Sequence, residues 1–458
     1  MNTSRSAAIE SIWPGLEAGV PKPLMPYSPA IRAGNWVFVA GQIASDFKTG
    51  LAPEVLAANP KLRGKLYLQG EYVLRNLANT MKAAGCDPDR DMVRLWQWFV
   101  AEHPTVQDFA RGDNSPRLSI RPYLDAREEL LGCAAVPCSS LAVKELLCLG
   151  TRVEVDMICR TDEHEPRPIQ DDASIRTAGL KRGDWVFLAA ENAVDSNSAV
   201  VGKSRPSQNA IDSNPDALGS SRFSQLETWS DSSVEAQTDI ILEKLSGLAA
   251  TADSSLDSAV KAEVYIGDPA DFAAMDRAWK HWFSRRPPAR VVIPYMGMGR
   301  RGSRIEIALT LLTSDSTLEI TNIEAADAPP GLGHEPQAVK AGDLLFFSTQ
   351  MAFDASGRLA EGMVRNPAFP WYGSPGKAQM HYMMENVSHI CAAAGTSVEN
   401  IVRRVCFHSD FQWFAESIEA WASYFPDSKP ASTTIRLEDP LVVPGANTLL
   451  DLIAYAPD

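Results

Sequence analysis

At 458 residues the chain exceeds one compact core and has room for about three domains of ~150 residues, and its 45% hydrophobic content lets each bury a core of its own. A formal net charge of -14 weighs against general nucleic-acid binding, which draws its affinity from clustered Lys and Arg. Seven cysteines without a CxxC pair are poor material for a disulfide framework or a zinc knuckle and fit reduced thiols.

In chain order, the N-terminus "MNTSRSAAIESIWPGLEAGVPKPL" places Glu10 and prolines where a signal peptide needs an apolar run. No later segment offers roughly eighteen uninterrupted apolar residues, so the expectation is a cytoplasmic protein with no membrane partner. "RAGNWVFVAGQ" from Arg32, "KRGDWVFLAAE" from Lys181 and "KAGDLLFFSTQ" from Lys340 share one pattern, a Gly-Asn or Gly-Asp turn feeding a strand. The turn glycines Gly34, Gly183 and Gly342 recur at a domain-sized spacing. Each copy continues with an amphipathic helix and a second strand, then with a proline block, "PCSSLAV", "PPARVVI" or "PASTTIR". "RTDEHEPRPIQDD" and "AADAPPGLGHEP" read as linkers, giving repeats over 1–165, 166–322 and 323–458. A Ser/Asn/Asp-rich insertion lies at 195–233 in the second.

One span is out of character for an acidic protein. Arg285, Arg286, Arg290, Arg300, Arg301 and Arg304 crowd into a short stretch, which calls for a small, local anion. His381, Glu385 and His389 share a helix face but spread over about 12 Å by helix rise, too far for one metal. No metal site is expected.

"PYSPAIRAGNWVFVAGQ", "VYIGDPADFAAMDRAWKHWF", "PPAR" and "RIEIAL" together resemble the RidA (YjgF) family of enamine and imine deaminases, and the resemblance recurs three times along nearly the whole chain. It implies an α+β fold, chorismate mutase-like, in which each repeat is a sheet with two helices on one face. The three repeats would form an intrachain pseudo-trimer with ligand clefts between repeats, and pairing of pseudo-trimers is left open. The implied activity is hydrolytic deamination of an enamine or imine carboxylate, with no cofactor. 2-Aminomuconate or a substituted form suits the arginine island; the alternatives are a 2-aminoacrylate-type deaminase and a non-catalytic small-molecule-binding protein.

By the same resemblance, Arg290 of "PAR" grips the substrate carboxylate and Glu306 handles protons, with Glu154 its counterpart in repeat one. Tyr27 and Gly41 of the opening motif line a cleft, and Arg300 and Arg301 offer a second anion contact. Ser139 and Ser432 are read as standing where the arginine is lost in repeats one and three. Guanidinium suits the anchor role because it recognises a planar carboxylate at two points. Which repeats join to build one complete cleft stays open.

Overall fold

The glycines that mark the repeats are fixed by backbone geometry. Gly34, Gly183 and Gly342 have φ of 56°, 56° and 53°, a left-handed conformation that penalises any Cβ, and each sits in a two-residue turn between paired strands. The computed structural model describes residues 9–102, 106–110, 119–132, 136–170, 177–193, 233–297 and 303–457. Arg300, Arg301 and all of the 195–233 insertion except Ser233 lie outside the described residues.

From each hairpin the chain builds the same unit. In repeat one the sheet order runs Ile9–Ile12, Ala30–Ala33, Trp36–Ile43, Val153–Arg160, Met92–Val100, Cys138–Val143. The last two are parallel, and every other pair is antiparallel. Repeats two and three reproduce this order around Ser254–Ile266 with Ala289–Pro294 and Ile401–His408 with Ala431–Arg436. Two helices accompany each sheet: Lys65–Ala83 and Arg121–Leu131, Val234–Thr251 and Phe272–Trp282, Pro375–Ala393 and Phe414–Ala422. The fold is α+β with three RidA-like domains in one chain.

Strand alternation sends each sheet's two faces to different cores. In repeat one Val37, Val39 and Leu95 pack with Leu74, Leu77 and Tyr123 of the helices, and repeats two and three have matching outer cores. The opposite faces of all three sheets meet in a single inner core. There Trp36 meets Trp185 edge-on with ring centroids 5.0 Å apart, and Trp98 contacts Phe407 at 5.4 Å and Tyr265 at 6.5 Å. The three repeats thus close around one another as a pseudo-trimer.

Six charges are buried within that inner face. Arg94, Lys261 and Arg403 occupy equivalent positions, opposite Ile158, Thr310 and Ile453. Each repeat also supplies one acid from the next inward pair: Asp156 opposite Trp96, Glu263 opposite Ala308, Asp451 opposite Val405. Three pairs cross between repeats, Arg94 with Glu263 at 2.8 Å, Lys261 with Asp451 at 2.6 Å and Arg403 with Asp156 at 2.8 Å, while Arg403 also pairs with Asp451 of its own repeat at 2.9 Å. Three cations meet three acids, and the ring is balanced.

Removing one partner of a buried pair leaves an uncompensated charge, which costs about 3–5 kcal/mol. Arg403→Met should lower the denaturant midpoint accordingly. Asp156, whose carboxyl burial already holds above its ordinary range, then keeps Trp98 Nε1–H as its hydrogen-bond donor among the described residues. The loss should shrink as pH falls and Asp156 takes up a proton. An unchanged midpoint at neutral pH would show the ring is dispensable.

Candidate functional site

The cleft between repeats one and three is built mostly from the opening motif. Ser28 N–H donates to Pro430 O at 3.2 Å, Ser28 Oγ donates to Lys429 O at 2.6 Å, and Gly41 N–H donates to Thr433 Oγ1 at 3.1 Å. Glu145–Leu146 of repeat one adds a short antiparallel strand to the edge of the third sheet, next to Ile435 and Arg436. Tyr27, Gly41 and Glu154 of repeat one face Arg404, Ser432 and Thr434 of repeat three, with Met25, Phe47, Phe414 and Ile418 completing the walls.

A register irregularity between Val39 and Gln42 lets Gly41 lie against the Glu154 carboxyl. A Cβ at Gly41 would come within 2.1 Å of Glu154 Oε1, so any larger residue here would force the carboxyl to shift. Burial, then the neighbouring Asp156, pushes the Glu154 carboxyl well above the ordinary carboxylate range; a backbone N–H from Thr434 opposes this. Among the described residues its Oε2 has no hydrogen-bond partner. Burial and Glu154 also raise the Tyr27 phenol. Both groups are thereby biased towards their neutral, protonated forms.

Opposite Glu154 stands a guanidinium that the sequence reading did not select. Arg404 lies on the strand next to Ser432, directly in register with it, and donates through Nη1 to Ser432 Oγ at 2.8 Å. It is 1% exposed. Among the described residues its Nε and Nη2 have no hydrogen-bond partner and no carboxylate pairs with it; the Cys406 side chain is a favourable neighbour. The available signal was "VRRVCFH", two adjacent arginines in a strand buried on both faces.

Arg290 is placed differently. Its Nε donates to Glu335 Oε2 at 2.6 Å, Nη2 pairs with Asp276, and Nη1 approaches Met275 Sδ at 3.4 Å. Both Arg290 and Glu335 have fully buried side chains. Glu335 comes from the segment read as a linker, whose Gly333 has no room for a Cβ against Arg290 Nη2 and Asp276. Arg290 therefore abuts repeat three, where Ser348 Oγ receives its backbone N–H, and intrachain acids take its grip. The substrate grip expected of Arg290 is thus made within the chain, and Glu306 lies elsewhere. Glu306 is buried beside Tyr295, and the next residue, Met296, bonds Ala142 of repeat one. Nor does Tyr27 share a cleft with Arg290.

Ser139 also needs correction. Trp98, Tyr265 and Phe407 lie opposite Glu154, Glu306 and Leu449, and from that anchor the parallel register sets Cys138 level with Arg290 and Ser432. Aligning the proline blocks slips repeat one by a residue. Ser139 consequently points to the inner core, where Arg94 Nη2 donates to its Oγ at 2.6 Å. Ser432 does hold the arginine's position. No helix among the described residues is long and apolar enough to cross a membrane.

Three repeats of this α+β unit, with clefts where they meet, define a RidA-like three-repeat protein. The sequence profile described as "Endoribonuclease L-PSP" matches residues 18–112, 220–312 and 326–439, more than half of the chain, which therefore belongs to that family. A RutC family protein of Pyrococcus horikoshii is 30% identical over 112 residues, 24% of this chain and 79% of the relative. Another, from Aquifex aeolicus, is 31% identical over 120 residues, 26% of this chain and 86% of the relative. Among solved structures, RidA from the Antarctic bacterium Psychrobacter sp. is 27% identical with a TM-score of 0.25, covering 30% of this chain and 98% of its own.

Crowding at Gly41 generates a prediction. Gly41→Ala should destabilise the protein by about 1–3 kcal/mol through overpacking. Trimming the carboxyl in Gly41→Ala/Glu154→Ala should recover part of that loss, giving a non-additive double-mutant cycle in denaturant unfolding. Simple additivity would mean the two groups do not touch.

Proposed function

We propose that the chain catalyses hydrolytic deamination of an enamine or imine carboxylate, releasing ammonia and a keto acid, in the cleft between repeats one and three. The observation that carries this reading is Glu154, a buried carboxyl pushed towards its protonated form beside Tyr27. Family membership supports enamine or imine deaminase chemistry or a related function. The ribonuclease activity in the family's description fits poorly with a net charge of -14.

Protonating an enamine gives an iminium whose carbon is electrophilic, so the protein has only to position the substrate and manage protons. Glu154 donates its proton to the enamine carbon. The resulting carboxylate takes a proton from water as the water oxygen bonds to the iminium carbon. Returning that proton to nitrogen lets the C–N bond break and ammonia leave, and as the carbonyl forms the hydroxyl proton passes to the Glu154 carboxylate, giving the keto acid and restoring the protonated carboxyl.

The arginine island favoured a dicarboxylate such as 2-aminomuconate. In the structure Arg290 is taken by Glu335 and Asp276, Arg304 by Asp271, and Arg286 by the Asp257 carbonyl. Arg404 is the one cation among the residues lining the cleft. A single carboxylate, as in 2-aminoacrylate, matches that charge better than a dianion, and this reading is preferred.

Ammonia release from 2-aminoacrylate generated in situ, and from 2-aminomuconate, tests both levels. The protein should accelerate the first more than the second, and Glu154→Gln should lower kcat/KM by about 10²–10⁴. Acceleration of neither would leave a non-catalytic ligand-binding protein.

Stability should also report on Glu154. A carboxyl whose pKa is higher folded than unfolded makes the folded state bind more protons, so its contribution to stability falls as pH rises through that window. Glu154→Gln removes this penalty, and the variant's Tm should gain on the parent's between pH 4 and pH 8. A Tm difference independent of pH would contradict the raised pKa.

A further inference from the structure

The guanidinium lost from the family's arginine position in repeat three is replaced from the neighbouring strand. Arg290 of repeat two lies over Trp279 with its Cζ 5.0 Å from the ring. Arg404 of repeat three lies over Trp421 at 4.6 Å. Trp279 and Trp421 hold the same place in their repeats, each on the second helix and buried in the outer core. The register sets Arg404 level with Ala262 and Ser432 level with Arg290. Two different strands therefore deliver a guanidinium to the same seat over the tryptophan.

The two seats differ in what they leave available. Arg290 donates to Glu335 and Asp276 and is consumed by the chain itself. Arg404 spends Nη1 on Ser432 Oγ and leaves Nε and Nη2 without partners at 1% exposure. Leaving buried charged donors unmade is costly, and the Trp421 ring and the Cys406 side chain offset it only in part. Those nitrogens belong to a residue lining the cleft that also holds Glu154 and Tyr27.

We infer that Arg404 is the carboxylate anchor of the repeat one and three cleft, receiving a monoanionic 2-oxo or 2-imino acid on Nε and Nη2, with Ser432 as the positioning residue that fixes the guanidinium plane. This rests on the reading of that cleft as the ligand site, but it concerns binding and can stand or fall apart from catalysis. The ion pair at Arg290 is the same recognition made within the chain, with Glu335 in the place of a ligand.

The test uses 2-oxobutyrate and its methyl ester, which lacks the charge, in calorimetric titration of the full chain. The unaltered protein should bind about one equivalent of 2-oxobutyrate and bind the ester at least about tenfold more weakly, the scale of a charge-assisted contact. Arg404→Lys, which keeps charge but loses the planar fork, should weaken 2-oxobutyrate by about tenfold or more. Moving the guanidinium back to the family's position in Arg404→Leu/Ser432→Arg should restore binding over Arg404→Leu alone, a rescue that a purely structural arginine would not show. Equal affinity for acid and ester, or no binding of either, overturns the proposal even if the variants fail to fold. Tight binding by Arg404→Lys and Arg404→Leu also overturns it, and if Glu154→Gln then abolishes ammonia release the deaminase reading survives alone. Arg404-dependent binding without ammonia release keeps the anchor and sinks the deaminase reading.

Discussion

Each of the three sheets has an apolar inner face that helices do not cover, and these faces can leave water only against one another. Burying them in one shared core sets everything else. It aligns the edges of neighbouring repeats, seats Ser28 and Gly41 of repeat one against repeat three, and makes clefts at the joints. The six-charge ring inside that core crosses every joint. Hydrophobic contact alone is non-directional, whereas the three ion pairs that join different repeats each require a particular repeat alongside.

Joining the repeats in one chain frees the clefts from being identical. In repeat two's joint with repeat three the arginine remains, but Glu335 occupies it and the acid position is Leu449. In repeat one's joint with repeat three the acid remains as Glu154, the glycine at 41 makes room for it, and the cation comes from Arg404. Neither arrangement would survive in a symmetric trimer, where one substitution changes all three sites together. A closed cleft and an open one coexist here because each is encoded separately.

The repeated fold was legible because its signals are local: turn glycines at positive φ, helix periodicity, and a proline before each parallel strand. Glu154, Tyr27 and Gly41 stood out as members of short motifs, and the structure brings the three side by side in one cleft. What could not be read was pairing. Whether Cys138 or Ser139 stands level with Arg290 depends on strand register, and one residue's slip sends the side chain to the opposite face. Arg404 does not occupy the motif's position at all; it becomes visible only when the adjacent strand is laid beside Ser432. Glu335 looked like part of a linker because its segment is rich in proline and glycine, yet that same composition lets the backbone close over Arg290.

The central claim is that one cleft of the three is open to an anionic ligand, and the most direct measurement is a crystal structure of the protein grown with 2-oxobutyrate. The account predicts the ligand between Glu154 and Arg404, its carboxylate on Nε and Nη2, with the Arg290–Glu335 pair undisturbed. A ligand bound to Arg290 with Glu335 displaced, or seated beside Glu306 with the Arg404 cleft unchanged, would contradict it.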